Sequence, residues 1–104
     1  MDVFEALADP TRRAIVAMLA KGERNAGDIA GRFPIAGPSV SRHLRVLRES
    51  GVVSFRRSAQ AWIYRLETRA LGEAKRWMEA QLTLADARFD ALEAHLDRMK
   101  ERGD

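Results

Sequence analysis

The stretch from Gly37 to Gly51 constrains the fold of this chain more than any other. Pro38 suits the first turn of a helix, where its missing amide hydrogen is not needed, and we expect Gly37 to cap that helix. Gly51 can take the left-handed conformation that ends a helix. Between these residues the spacing predicts one apolar face, formed by Val40, Leu44 and Leu47.

The opposite side of this predicted helix is polar and basic. At ~100° per residue, the residues that project from it are Ser39, Arg42, Arg45 and Glu49. Such a helix suits the major groove of DNA, because arginine can donate two hydrogen bonds to guanine and serine can bond phosphates or base edges. An ordinary amphipathic helix with a solvated basic face remains the alternative.

A predicted β-hairpin follows the helix directly. Residues 52–57 and 61–66 read as two strands, joined by a polar tip at 58–60. The alternation of Trp62, Tyr64 and Leu66 predicts that the second strand is half-buried. A helix that leads into a hairpin with a basic tip is the arrangement of a winged helix-turn-helix. The predicted fold is therefore mainly α with a small β-hairpin.

The order and spacing of these segments resemble a known family. Ser-Val-Ser-Arg-His-Leu-Arg-Val-Leu at 39–47 follows Ala-Asp-Pro-Thr-Arg-Arg-Ala-Ile at 8–15 and precedes Tyr-Arg-Leu at 64–66. Over roughly residues 3–66 the chain resembles the ArsR-type winged-helix repressors, in particular the metal-independent branch that lacks the cysteine sensor motif. The resemblance implies that the protein sits on a promoter, often its own, and blocks transcription.

Three departures from the family pattern leave details open. Ala36 stands where a serine or threonine cap is common, and Gly37 stands where a basic residue often sits. The wing tip, Ser58-Ala59-Gln60, has no glycine to supply a positive φ, so the turn geometry and the reach of the wing stay open.

The expected DNA contacts lie on the helix and on the wing. We expect contacts at or near the bases from Ser39, Ser41, Arg42 and His43. Arg45 is expected on phosphate, and the backbone or minor-groove contacts are expected from Arg56, Arg57 and Gln60. His43 lies at the edge of the apolar face, so a packed neutral histidine is an equally open interpretation. Residues 38–66 carry six arginines against one glutamate, which favours a polyanionic partner.

We expect residues 1–104 to form a single winged-helix domain. Asp2 would cap a short first helix and Asp9 a second helix at about 10–21. The helix-turn-helix would span about 26–50, with Asn25 as the cap of its first helix, and the wing about 52–66. A last helix is expected at about 67–102, with Gly72 and Thr83 as candidate break points.

The last third of the chain carries an apolar stripe at coiled-coil spacing. A module of about sixty residues would leave much of this stripe exposed, so we expect a two-fold homodimer in which N- and C-terminal helices pair. Docking of the stripe onto the first helix of the same subunit is the alternative. The expected interface residues are Phe4, Leu7, Met78, Leu82, Ala85, Phe89, Leu92, Leu96 and Met99.

The composition argues against several kinds of site. The chain has no cysteine, which excludes disulfides and thiolate metal sites. His95 and Asp97 would project ~200° apart on a helix, so the nearby charges, Asp86, Asp90 and Glu93 among them, predict a solvated face rather than a metal site. We expect no metal and no cofactor.

Other function classes are also disfavoured. The sequence has no His–carboxylate pair at plausible spacing and no glycine-rich phosphate loop, so we do not expect an enzyme. Since there is neither a long apolar run nor a signal peptide, we expect a cytoplasmic protein without membrane contact.

Two alternatives to a simple repressor stay open. One is a metal- or ligand-responsive derepressor, controlled by an unidentified protein or small molecule. The other is a protein-interaction module that no longer binds DNA.

Overall fold

A computed structural model describes residues 1–103, which divide into two compact units, Met1–Ala74 and a second unit that begins at Lys75. The first unit contains, in chain order, α1 (Val3–Leu7), α2 (Pro10–Ala20), β1 (Arg24–Asn25), α3 (Ala26–Gly31), α4 (Gly37–Glu49), β2 (Val53–Ser58) and β3 (Ala61–Leu66). Helix α5 (Thr68–Glu101) starts in the first unit and forms the second. The predicted mainly-α fold with a small β-hairpin is confirmed.

The first three helices begin where the sequence predicts because a side chain caps each of them. Asp2, Asp9 and Asn25 each accept a hydrogen bond from the backbone amide three residues further on, at 2.8, 3.1 and 2.8 Å. A cap of this kind satisfies one of the amides that has no partner inside the helix, which is worth ~1 kcal/mol.

Helix α4 begins one residue earlier than expected. Its N-cap is Ala36, which makes no side-chain capping bond, so the prediction that Gly37 caps the helix is wrong. Gly37 and Pro38 occupy the first two helical positions, where a proline is tolerated because amides there lack intrahelical partners. At the other end, Gly51 has a φ of 79°, which confirms the left-handed stop.

The core of the first unit draws on nearly every element. Its buried side chains are Ala6, Ile15, Leu19, Ile29, Val40, Leu44, Leu47, Val52 and Val53. The three from α4 are each at most 3% exposed, which confirms the predicted apolar face. At the start of α5, Ala70 and Leu71 pack against this core and Ala74 is buried.

The sheet has three antiparallel strands in the order β1-β3-β2. Strand β1 was not predicted, because two residues are too short to show an alternating pattern and Asn25 also serves as the cap of α3. Arg24 pairs with Tyr64, and Asn25 with Ile63. Strand β3 is therefore held on both edges, and the wing is fixed to the segment that leads into the helix-turn-helix.

The wing tip resolves the open question about its turn. Ser58 pairs with Ala61, which leaves a two-residue loop of Ala59 and Gln60. Ala59 has a φ of 53°, and within residues 1–103 it is the one non-glycine residue with a positive φ. Tight hairpin loops need a positive φ at their first position, where glycine is usual, so this alanine is strained.

Replacing Ala59 with glycine is expected to raise the free energy of unfolding by up to about 1 kcal/mol. Glycine has no Cβ to clash in this conformation, and the relief exceeds the entropy that glycine adds to the unfolded chain. Urea unfolding followed by circular dichroism would measure the change. Gln60→Gly is the matched control, since Gln60 lacks a positive φ. A loss of stability for Ala59→Gly equal to that of the control would contradict the strain at Ala59.

The second unit is one helix with an exposed apolar stripe. Helix α5 is continuous, and neither Gly72 nor Thr83 breaks it. The large side chains of the stripe are 38–69% exposed: Met78, Leu82, Phe89, Leu92, Leu96 and Met99. Ala85, between them, is also exposed. No helix within residues 1–103 is both long and apolar enough to cross a lipid bilayer.

Candidate nucleic-acid interface

The outward face of α4 presents side chains that have no partner in the subunit. Ser41, Arg42 and Arg45 are exposed, and Ser39 is half-buried. Across residues 1–103 none of these four side chains takes part in a hydrogen bond or an ion pair. Arg42 lies two residues from both Val40 and Leu44, which are buried, so its side chain projects away from the core. These donors are free to bond an external acceptor.

His43 differs from its neighbours because it is held from inside the protein. Its Nδ1 lies 3.2 Å from Nη1 of Arg12 and 3.9 Å from Oδ2 of Asp9. The side chain of His43 is 20% exposed. His43 thus has a side-chain partner inside the subunit, and its contact with DNA stays a prediction.

Asp9 joins this contact electrostatically. The backbone amide of Arg12 donates to its carboxylate, and this bond lowers the pKa of Asp9 below its ordinary value against the opposing effect of burial. The nearby His43 and the Arg12 charge also lower the pKa. Asp9 thus presents a negative charge beside the His43 ring.

The side chains of Arg12 and Arg13 bond the carbonyls at the end of α1. Arg12 donates from Nε to the carbonyl of Ala6 at 2.6 Å. Arg13 donates from Nη1 to the carbonyls of Leu7 and Ala8, at 2.8 and 3.0 Å. The last carbonyls of a helix lack intrahelical partners. Two arginines placed just after a five-residue helix are the signal that could have indicated this role.

The cations of the wing are held in two different ways. Arg56 forms an exposed ion pair with Glu23, with Nη1 2.9 Å from Oε2. Arg57 lies over the ring of Trp62, 4.7 Å from its centroid, and Gln60 is exposed without a partner in the described chain. Because exposed ion pairs are worth ~1 kcal/mol or less, a phosphate can displace Glu23 from Arg56.

Three aromatic side chains of the wing strands form a cluster. The ring centroid of Phe55 lies 4.9 Å from that of Trp62 and 5.5 Å from that of Tyr64. Tyr64 and Leu66 pack against the core, as the predicted half-buried strand requires, whereas Trp62 is 41% exposed. Trp62 pairs with Arg57 near the tip, away from the residues that pack on the core.

Arg48 connects α4 to this cluster. Its guanidinium lies 4.8 Å from the centroid of the Phe55 ring, which is a cation–π contact. At the base of the wing, the hydroxyl of Ser54 and the guanidinium of Arg65 donate to Glu67, and these bonds lower the pKa of the Glu67 carboxyl. The helix and the two strands are thus joined by side-chain contacts.

Nothing in the described part of the chain gathers three potential metal ligands of the His, Cys, Asp or Glu type.

The residues expected at the dimer interface lie on both units, with Phe4 and Leu7 in α1 and the others in the second unit. Phe4 is 43% exposed and Leu7 is half-buried.

The sequence has clear relatives among transcription regulators. Residues 9–54 match the family model described as "Bacterial regulatory protein, arsR family". The Transcriptional repressor SdpR of Bacillus subtilis is 44% identical over 77 residues, which cover 74% of this chain and 86% of that protein. The Arsenic resistance transcriptional regulator ArsR1 of Pseudomonas putida is 34% identical over 104 residues, with 98% of this chain and 78% of that protein covered.

Solved structures of transcription regulators have a similar fold. An ArsR-like transcriptional regulator from Rhodococcus sp. RHA1 superposes with a TM-score of 0.82 at 27% identity, covering 91% of this chain and 87% of that one. The transcriptional repressor BigR from Xylella fastidiosa superposes with a TM-score of 0.60 at 33% identity, over 78% and 80% of the two chains. The wing and the helix-turn-helix described above are shared with these regulators.

Proposed function

Because this chain belongs to the ArsR family of bacterial regulatory proteins, a family of DNA-binding transcription regulators and not of enzymes, we propose that it is a homodimeric repressor of an inverted-repeat operator. DNA binding and transcriptional control follow from the family. The observation that carries the rest is the outward face of α4, where two arginines and a serine are exposed without a partner in the subunit. Unpaired donors on a helix backed by the core are suited to reading base edges.

The exposed stripe of α5 supports the dimeric state. Ala85, Phe89, Leu92, Leu96 and Met99 recur at intervals of four and three, the spacing of a coiled-coil seam. A regulator with the four large side chains of this seam 38–69% exposed would be prone to aggregate, so a second copy is proposed to cover them. Phe4 and Leu7 of α1 are proposed as further residues of the dimer interface.

Two-fold symmetry sets the proposed geometry on DNA. The two α4 helices would enter successive major grooves, about 34 Å apart. In each half-site, Ser39, Ser41, Arg42 and His43 are assigned to the bases and Arg45 to phosphate. Arg56, Arg57 and Gln60 are assigned to the backbone or the minor groove, where Arg56 would exchange its Glu23 partner for a phosphate.

The signal that releases DNA is proposed not to be a thiolate-bound metal. The sequence has no cysteine, and the donor set of α5 offers one histidine per chain. A protein partner, a small molecule or the concentration of the repressor itself would then set occupancy, with the protein's own promoter as the proposed operator. A repressor of this kind acts in the cytoplasm, on the chromosome.

The experiment measures fluorescence anisotropy of the metal-free protein with the duplex from upstream of its own gene, across several salt concentrations. A scrambled duplex of equal length is the control. We expect tight binding to the native duplex, much weaker binding to the scramble, and a steep fall with salt, because each arginine on phosphate releases condensed counterions.

Equal, weak binding to both duplexes would contradict autoregulation. Selection of bound fragments from the genome would then separate two cases. Recovery of a common inverted repeat would place the operator elsewhere, whereas recovery of no shared sequence would favour a module whose partner is a protein.

A further inference from the structure

Arg12 joins three parts of the first unit through one rigid group. Its Nε and Nη2 donate to the carbonyls of Ala6 and Glu5 in α1, at 2.6 and 3.1 Å. Its Nη1 lies 3.2 Å from Nδ1 of His43 in α4. Because the guanidinium is planar and its donors have fixed directions, anchoring two of them on α1 fixes the position that the third offers to His43.

This contact determines which ring nitrogen of His43 carries the proton. A guanidinium has five N–H donors and no acceptor, and it stays charged in proteins. Nδ1 must therefore accept, which leaves the proton of the neutral ring on Nε2. Within residues 1–103, no other group bonds to Nε2 of His43. The neutral His43 ring thus has an N–H at Nε2 that is not used within the subunit, on the same helix as Arg42.

We infer that Arg12 is a positioning residue for operator binding: it holds His43 as the Nε2–H tautomer, whose free N–H donates to an acceptor on the DNA. The inference rests on the proposed function, since it assumes that α4 lies on the duplex. Phosphate oxygens, and base-edge atoms such as the N7 of a purine, are acceptors that an imidazole N–H can bond. Without Arg12, the ring would distribute its proton over both nitrogens and rotate away from the contact.

Arg13 supplies a matched control for this role. Like Arg12, it is an arginine of α2 that bonds the carbonyls at the end of α1, and it makes no contact with His43. Arg12→Leu and Arg13→Leu remove the same charge and the same kind of capping bond. A difference between them therefore isolates the link to His43 from the general attraction of arginine for DNA.

The experiment uses the tightest duplex that the wild-type protein recovers from genomic fragments. We expect Arg12→Leu to bind this duplex about five- to tenfold more weakly than Arg13→Leu does, the worth of one hydrogen bond. In a His43→Ala background the two substitutions should have the same effect, because the link is already gone. If Arg12→Leu fails to fold by circular dichroism, Arg12→Lys against Arg13→Lys makes the same comparison.

Nitrogen-15 spectra of the imidazoles give a readout that a purely structural role would not move. The chain has two histidines, so a His95→Gln variant assigns the His43 signals. At alkaline pH we expect the Nε2–H tautomer in the wild type and in Arg13→Leu, and a mixture in Arg12→Leu. Equal affinities for the two variants, or an unchanged tautomer, would overturn the inference alone. A wild-type protein that recovers no duplex would overturn the proposed function as well.

Discussion

Replacing Leu92 with aspartate is expected to convert the protein into folded monomers that bind the operator poorly. Leu92 lies in the middle of the α5 stripe and is 54% exposed in the single chain, so the new carboxylate remains solvated within the subunit. In the proposed dimer the same carboxylate would lie in an apolar seam without a cationic partner. An uncompensated buried charge costs ~3–5 kcal/mol, and the dimer carries the change twice.

Light scattering would measure the mass, and anisotropy the operator affinity, which we expect to fall by at least about 100-fold because one subunit cannot hold two half-sites. Ala94→Asp is the matched control. Ala94 is two residues from Leu92 and therefore on the opposite side of the helix, at ~100° per residue. It should leave the dimer intact. A dimeric Leu92→Asp protein would place the interface outside the α5 stripe.

Replacing Arg42 with alanine is expected to weaken operator binding by ~1–3 kcal/mol and to relax specificity at one base pair in each half-site. Arg42 is exposed and has no partner within residues 1–103, so its removal should leave the stability of the subunit unchanged. The loss would then report directly on a contact with DNA.

Arg45→Ala provides the contrast. Because Arg45 is assigned to phosphate, its loss should weaken binding to the native and the scrambled duplex about equally. It should also reduce the slope of log affinity against log salt by ~1 for each lost contact. Competition among duplexes with single base-pair changes distinguishes the two patterns. If the two variants lost affinity uniformly over all sequences, Arg42 would be a phosphate contact and base reading would lie with other residues of α4.

The parts of the fold that the sequence predicted are those that local chemistry determines. Four local signals each act within one or two helical turns: a proline after an N-capping aspartate, an asparagine cap, a glycine stop, and the spacing of Val40, Leu44 and Leu47. The structure confirms them at those positions. The exposed positions of α4 follow from the same periodicity, because residues opposite a buried stripe face solvent.

The parts that were missed depend on contacts between segments distant in sequence. Strand β1 exists through its pairing with β3, about forty residues later, and neither Arg24 nor Asn25 forms a pattern by itself. The bonds from Arg12 to α1 and to His43 depend on how α1, α2 and α4 pack. The start of α4 was misplaced because both glycine and proline suit more than one position in a first turn.

The outer face of α4 also has an evolutionary consequence. Side chains that contribute nothing to the core or to any internal bond can be exchanged without cost to folding, so the preferred operator can diverge between duplicated genes while the scaffold is kept. Ser41, Arg42 and Arg45 are free in this sense, whereas His43 is tied to Arg12. Directed changes of sequence preference should therefore begin with the three free positions, and a change at His43 should be paired with one at Arg12.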